Sequence, residues 1–154
     1  MDEPMGTDAP AVAPPDGWAS GARDDEHDHS FERAPAEIHG CDGMILLRGI
    51  VIRPSHALWR TGVVHIAFVP DRSVTGVSTI VQIVDANARL FPMQERLTVR
   101  IAGAVDRTLR PLGVAVTVEV AHQAAIVTTS RTLGIFRSDA DLRREFRSLI
   151  HQHP

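Results

Sequence analysis

The chain has 154 residues, 44% of them hydrophobic and 23% charged, with a formal net charge of −3 at pH 7. That length supports one domain with a real core plus a further segment, and no apolar run reaches the roughly 20 residues that span a bilayer. A single cysteine, Cys41, excludes an intrachain disulfide framework, and because all 16 basic residues are arginine there is no lysine for Schiff-base or phosphate-loop chemistry.

Residues 1–34 are rich in Pro, Gly, Ala and Asp and show no apolar period, so they read as a disordered acidic tail ahead of a domain over 35–154. The tail holds nine acids and two arginines, net −7, and the rest holds ten acids and 14 arginines, net +4. Within the tail, Asp24-Asp25-Glu26-His27-Asp28-His29 is a solvated charge run before it is a metal site. The acidic, Pro-rich start has no signal-peptide pattern, so a cytoplasmic setting is the default and no membrane partner is expected. The mild basic excess of the domain lacks a stripe of arginines interleaved with aromatics, so no nucleic-acid partner is expected.

Met44 to Arg53 is the first predicted strand, broken by Pro54, Ser55 and His56. Val63 to Val69 is the second, with Val64, Ile66 and Phe68 on one face and His65 on the other. Ser78 is a candidate N-cap for a helix from Thr79 to about Leu90, whose buried stripe is Ile80, Ile83, Val84 and Ala88. A second helix, about Met93 to Leu109, repeats Leu97, Ile101, Val105 and Leu109 every four residues. Pro92 suits its first turn, and Pro111-Leu112-Gly113 ends it. Glu95 falls in that first turn, where the positive end of the helix dipole favours an acid. The dipole accounts for Glu95 without function; a carboxylate held there to pair with a ligand's N–H groups is the alternative.

Val114, Val116, Val118 and Val120 alternate with Ala115, Thr117, Glu119 and Ala121 as a third strand with one buried face. Ala124 to Ser130 is its hairpin partner, with His122 at the bend. Ser138 caps a last helix, about Asp139 to Ile150, that buries Leu142, Phe146 and Leu149. The order β-β-α-α-β-β-α predicts an α+β domain: a four-stranded, largely antiparallel sheet with helices on one face. Its open edges make a homo-oligomer a reasonable expectation.

From about Met44 to Ile150 the chain resembles GTP cyclohydrolase I. The matching residues are Val64-His65-Ile66-Ala67-Phe68-Val69-Pro70, Gly76-Val77-Ser78, Ile83-Val84, Gln94-Glu95-Arg96-Leu97-Thr98, Gly113-Val114-Ala115-Val116, Ala121-His122, Gly134-Ile135-Phe136-Arg137 and Glu145-Phe146 with Leu149-Ile150. The Gln-Glu-Arg-Leu-Thr run is the most specific piece. The resemblance implies the tunnelling fold (T-fold), in which subunit sheets join into a barrel with sites between subunits. It also implies a zinc-bound water attacking C8 of GTP, the metal resting on two Cys and one His.

At those positions the chain departs from the family. Arg53-Pro54-Ser55-His56 stands where the family has Cys-Glu-His-His, so one thiolate is Arg53, a catalytic His is Ser55, and only the ligand His56 remains. The second thiolate is Ala124, and the loop after it, with a triphosphate contact, is deleted. A phosphate-binding Lys is Thr79 and an Arg is Gln82. A cyclohydrolase with a zinc rearranged onto His39, Cys41, His56, His65 or His122 is a weaker alternative, because these residues match no metal-ligand spacing. The resemblance therefore implies a base-recognition end without a metal: Glu95 anchors the guanidine-like edge of a guanine or pterin, with Gln94 and Ser78 as further substrate contacts. His56, His122 and Ser55 are the candidates for acid–base catalysis. No cofactor is expected. The alternatives are a non-catalytic purine- or pterin-binding protein and an interaction subunit of a true cyclohydrolase. For Ser78 and His122, capping a helix and lining a bend are sufficient structural roles.

Overall fold

In the computed structural model, residues 43–53, 61–71 and 76–152 are described. Four strands form among the described residues: β1 (Ile45–Ile52), an apolar run, β2 (Gly62–Val69) and β3 (Gly113–His122), whose apolar residues alternate with a period of two, and β4 (Ala125–Gly134), rich in β-branched residues. Apolar residues with a helical period form α1 (Val77–Leu90), α2 (Gln94–Leu109) and α4 (Ala140–His151), and a single turn, α3 (Ile135–Ser138), precedes the last. The strands lie in chain order in one sheet, every neighbouring pair antiparallel. This is the α+β arrangement expected from the sequence.

α1 and α2 cover one face. Ile80, Ile83, Val84, Leu97, Ile101 and Val105 are fully buried there against Val64, Ile66, Val114, Val116 and Val118. Both helical stripes read from the sequence are the buried ones. The two long helices share this face, and the C-terminal helix covers the other. A second, smaller cluster lies on the opposite face, where Ala67 and Ala115 meet Phe136 of α3 and Phe146 of α4. The two rings pack edge to face at 6.3 Å. Small residues on the central strands leave room for these rings, so β3 is buried on both faces across most of its length. Of the predicted α4 stripe, Phe146 is buried while Leu142 and Leu149 are half-buried.

Local details differ from expectation at the helix starts. α1 begins at Val77 with Gly76 at the cap position and no side-chain cap bond; Ser78 is exposed inside the first turn. Ser138 ends α3, its hydroxyl donating to the Ile135 carbonyl, and Asp139 caps α4 by accepting from the N–H groups of Asp141 and Leu142. A carboxylate accepting two N–H groups outcompetes a hydroxyl one residue earlier. α2 begins at Gln94 with Met93 at the cap position, so Pro92 lies ahead of the first turn rather than in it. β4 runs four residues past the predicted Ser130, its pairing with β3 continuing to Gly134 opposite Gly113; Gly134 ends it at φ 59°, where a Cβ would fall 2.2 Å from the Leu112 carbonyl oxygen.

Candidate functional site

The run Gln94-Glu95-Arg96-Leu97-Thr98 forms the first turn and a quarter of α2. Successive residues turn by about 100° around a helix, so they cannot all face the same way. Leu97 enters the core and is fully buried. Gln94 and Thr98, one turn apart, face the sheet and are 7% and 2% exposed. The Gln94 amide nitrogen donates to the carbonyls of Val118 in β3 (3.0 Å) and Val127 in β4 (2.8 Å). Thr98 donates its hydroxyl to the Gln94 carbonyl (2.8 Å) and meets the Thr129 hydroxyl at 2.6 Å. Glu95 and Arg96 face outward and are exposed. Among the described residues no hydrogen bond or ion pair engages the Glu95 carboxylate.

The remaining expected residues are spread over the domain. His122 is the last residue of β3, exposed, and pairs with Ala125 across the hairpin; Gln123 and Ala124 make the turn, Gln123 at φ 54°. The bend therefore falls just after His122 rather than on it. Ser78 lies near the start of α1, whereas Glu95 follows its end, so about 18 Å of helix separates Ser78 from the α1–α2 connection. One chain does not bring Ser78 and Glu95 together. Ser55 and His56 lie outside the described residues, as do His39 and Cys41.

The positions that resemble the family's thiolates still share one end of the sheet. Ile52 pairs with Gly62, Gly62 with Val120 and Val120 with Val127. Arg53 follows Ile52 at this end, and the Gln123–Ala124 turn closes β3 and β4 there, two strand spacings or about 10 Å across from β1. Arg53 is exposed. A guanidinium and a methyl group supply no zinc ligand, and among the described residues no three His, Cys, Asp or Glu side chains gather closely enough to hold a metal ion.

A second polar group sits under α4 and was not anticipated. β1 carries two residues, Arg48 and Gly49, opposite the single His65 of β2, with Gly49 at φ 80°. The Gly49 N–H points at His65 Nδ1 (3.4 Å), and His65 Nε2 lies 3.9 Å from the Glu119 carboxylate. Burial pushes the His65 pKa below its ordinary value of 6.5; Glu119 opposes this shift, while Arg48 and His151 add to it. From the same bulge Arg48 donates to the carbonyls of Leu149 (2.7 Å) and Gln152 (2.6 Å), capping the end of α4. The period-two pattern of β2 marks His65 as opposite the main core face, but nothing local announces its partners. Thr98 also escaped the sequence reading, although its spacing of four from Gln94 beside the Leu97 stripe carried that signal.

Comparisons with known proteins agree with this architecture. A sequence model for GTP cyclohydrolase I matches residues 15–151. The chain is 39% identical over 121 residues to GTP cyclohydrolase 1 of Leptospira biflexa, covering 70% of this chain and 66% of that protein. Against GTP cyclohydrolase 1 of Gloeobacter violaceus it is 35% identical over 125 residues, covering 73% and 58%. Against the Homo sapiens enzyme of the same name it is 39% identical over 105 residues, covering 62% and 42%. It thus spans at most about two-thirds of the length of these relatives. Among solved structures, the apo form of the archaeosine synthase QueF-Like superposes with a TM-score of 0.51 at 20% identity, covering 62% of this chain and 97% of that one. That likeness is one of fold, and the open antiparallel sheet with its helices is a tunnelling fold. With a family match over nearly the whole chain, the protein belongs to the GTP cyclohydrolase I family.

Proposed function

We propose that this protein is a divergent, metal-free member of the family that acts on a guanine- or pterin-type small molecule in a specialised biosynthetic pathway. The observation that carries the reading is Glu95: an exposed carboxylate, with no engaged partner among the described residues, on a helix start secured by buried hydrogen bonds. A fixed carboxylate accepting two N–H groups makes a charge-assisted bidentate contact, and guanine or pterin offers that N–H pair where adenine does not. Because Ser78 is distant from Glu95 within one chain, a pocket using both takes Ser78 from a second copy, which favours a homo-oligomer with sites between subunits. Among the described residues β1 and β4 are each paired on one side only, and they supply edges for such assembly. His122 would move protons at the rim, with Ser55 and His56 as the further acid–base candidates.

Arg53 and Ala124 support metal independence through their chemistry: an arginine carries a permanent cation that repels a metal ion, and alanine has no donor. With Thr79 and Gln82 in place of a lysine and an arginine, a triphosphate gains little. A second reading, a purine- or pterin-binding or interaction subunit without turnover, is favoured by the hairpin that closes over only two residues.

Titration calorimetry is expected to show guanosine or a pterin binding better than adenosine, and GTP scarcely better than guanosine. Glu95→Gln should weaken guanosine by about 1.5–3 kcal/mol, the scale of a lost charged hydrogen bond. Equal binding of adenosine would sink the Glu95 assignment. Elemental analysis is expected to find no stoichiometric zinc, and GTP should release no formate; one tightly held zinc per chain together with formate release would overturn the metal-free reading. Conversion of a bound guanine or pterin compound, followed by mass spectrometry, separates the enzyme from the binding protein.

A further inference from the structure

We infer that Gln94 and Thr98 form a buried clamp that fixes Glu95 relative to the β3–β4 hairpin, so that Gln94 is a positioning residue and not a ligand contact. The inference deepens the Glu95 reading and rests on it for its functional consequence. A primary amide nitrogen carries two hydrogens. Both are donated by Gln94, one to β3 and one to β4, so no N–H remains for a ligand. The Thr98 hydroxyl has one hydrogen, given to the Gln94 carbonyl, and the contact with Thr129 is therefore a bond donated by Thr129.

Three elements are joined by these four bonds: the start of α2 and the two strands of the hairpin. Their placement is specific. Val127 lies three residues past the two-residue turn, and Glu95 follows Gln94 directly. An inward Gln94 thereby sets the direction of an outward Glu95, one residue and about 100° further round the helix. At a helix start the first N–H groups lack intrahelical partners and the turn frays readily. Side-chain bonds from Gln94 and Thr98 to the sheet remove that freedom where the carboxylate must be held. A bidentate contact is sensitive to such freedom, because both of its bonds need one fixed carboxylate plane.

The test combines guanosine titration calorimetry with amide hydrogen exchange on the full chain. Gln94→Leu is expected to weaken guanosine about tenfold and to speed exchange at residues 95–98 at least tenfold, while Ile101–Leu109 stays protected. In the Gln94→Leu, Glu95→Gln double variant the guanosine loss should equal that of Glu95→Gln, because a positioning residue acts only through the group it positions. Thr98→Ser should behave as wild type and Thr98→Val should show a smaller version of the Gln94→Leu effect. Fully additive losses would overturn the inference by making Gln94 an independent ligand contact. Unchanged exchange at 95–98 would overturn it as well. Should wild-type protein bind no guanosine, the Glu95 reading fails, and exchange at 95–98 still decides whether the clamp exists. If Gln94→Leu does not fold, the Thr98→Val, Thr129→Val pair poses the same question through the hydroxyl bond.

Discussion

Under α1 and α2 the sheet presents Val64, Ile66, Phe68, Val114 and Val116, all at 1% exposure or less, to helices whose buried side chains are apolar except for Thr79, Gln94 and Thr98. Under α3 and α4 it presents Ala67 and Ala115 beside His65 and Thr117, and a pair of phenylalanines completes the cover. Thr117 there bonds the Ser130 hydroxyl at 2.9 Å, and Arg48 reaches across to the end of α4. The first face derives most of its stability from area removed from water, with the Gln94 and Thr98 bonds confined to the end where α2 starts. The second mixes a small apolar contact with groups that must be hydrogen-bonded to be buried at all. Both faces share β2 and β3, so a change in one can be read against the other.

Leu97→Ala breaks the first face most severely. It deletes a fully buried side chain from the centre of the main cluster and should cost about 3–5 kcal/mol, seen as a lower midpoint of cooperative denaturation. A loss below 1 kcal/mol would mean that this core collapses around the gap. Phe146→Ala removes one half of the aromatic pair on the second face and should cost about 3 kcal/mol. Its effect should be local: amides of α4 exchange faster while those of α2 keep their protection. Equal acceleration in α2 would make the two faces one cooperative unit and undo the contrast.

Acid should act on the second face. The folded-state pKa of His65 lies below 6.5, so the unfolded chain takes up this proton first. The folded state is then penalised as pH falls from the unfolded value toward the folded one, and the full stability is present above that window. For one proton the slope does not exceed about 1.4 kcal/mol per pH unit. Stability should therefore fall as pH drops through the unfolded value of about 6.5 toward the lower folded one, and His65→Gln, which can still accept from Gly49 and does not titrate, should flatten that portion of the profile. An identical slope in the variant would assign the titration elsewhere. The smallest effect is expected from Arg48→Ala. Its bonds to Leu149 and Gln152 are exposed, so their loss should cost about 0.5–1 kcal/mol and fray only the last turn of α4. A global loss of several kcal/mol would show that Arg48 holds more than a helix end.

The period of the apolar residues was sufficient to place both long helices, β2 and β3, and to name Ile80, Ile83, Leu97, Ile101 and Val105 as inward-facing; β1 was legible as an apolar run ended by Pro54, and β4 as the hairpin partner of β3. Side-chain geometry along a helix or strand repeats within a few residues, so local pattern determines it. The resemblance carried by Gln94 to Thr98 likewise pointed to the family without coordinates. Other features depend on residues far apart in the chain. Gln94 bonds carbonyls 24 and 33 positions away, and Arg48 reaches one 104 positions away. No local rule links such pairs; they meet only after the sheet has paired and the helices have docked. The same packing decided that α4 covers the second face, that Asp139 rather than Ser138 caps it, and that Ser78 lies a helix length from the α1–α2 connection beside Glu95. Sequence determined which side chains seek the interior, and tertiary structure decided which polar groups would find partners there.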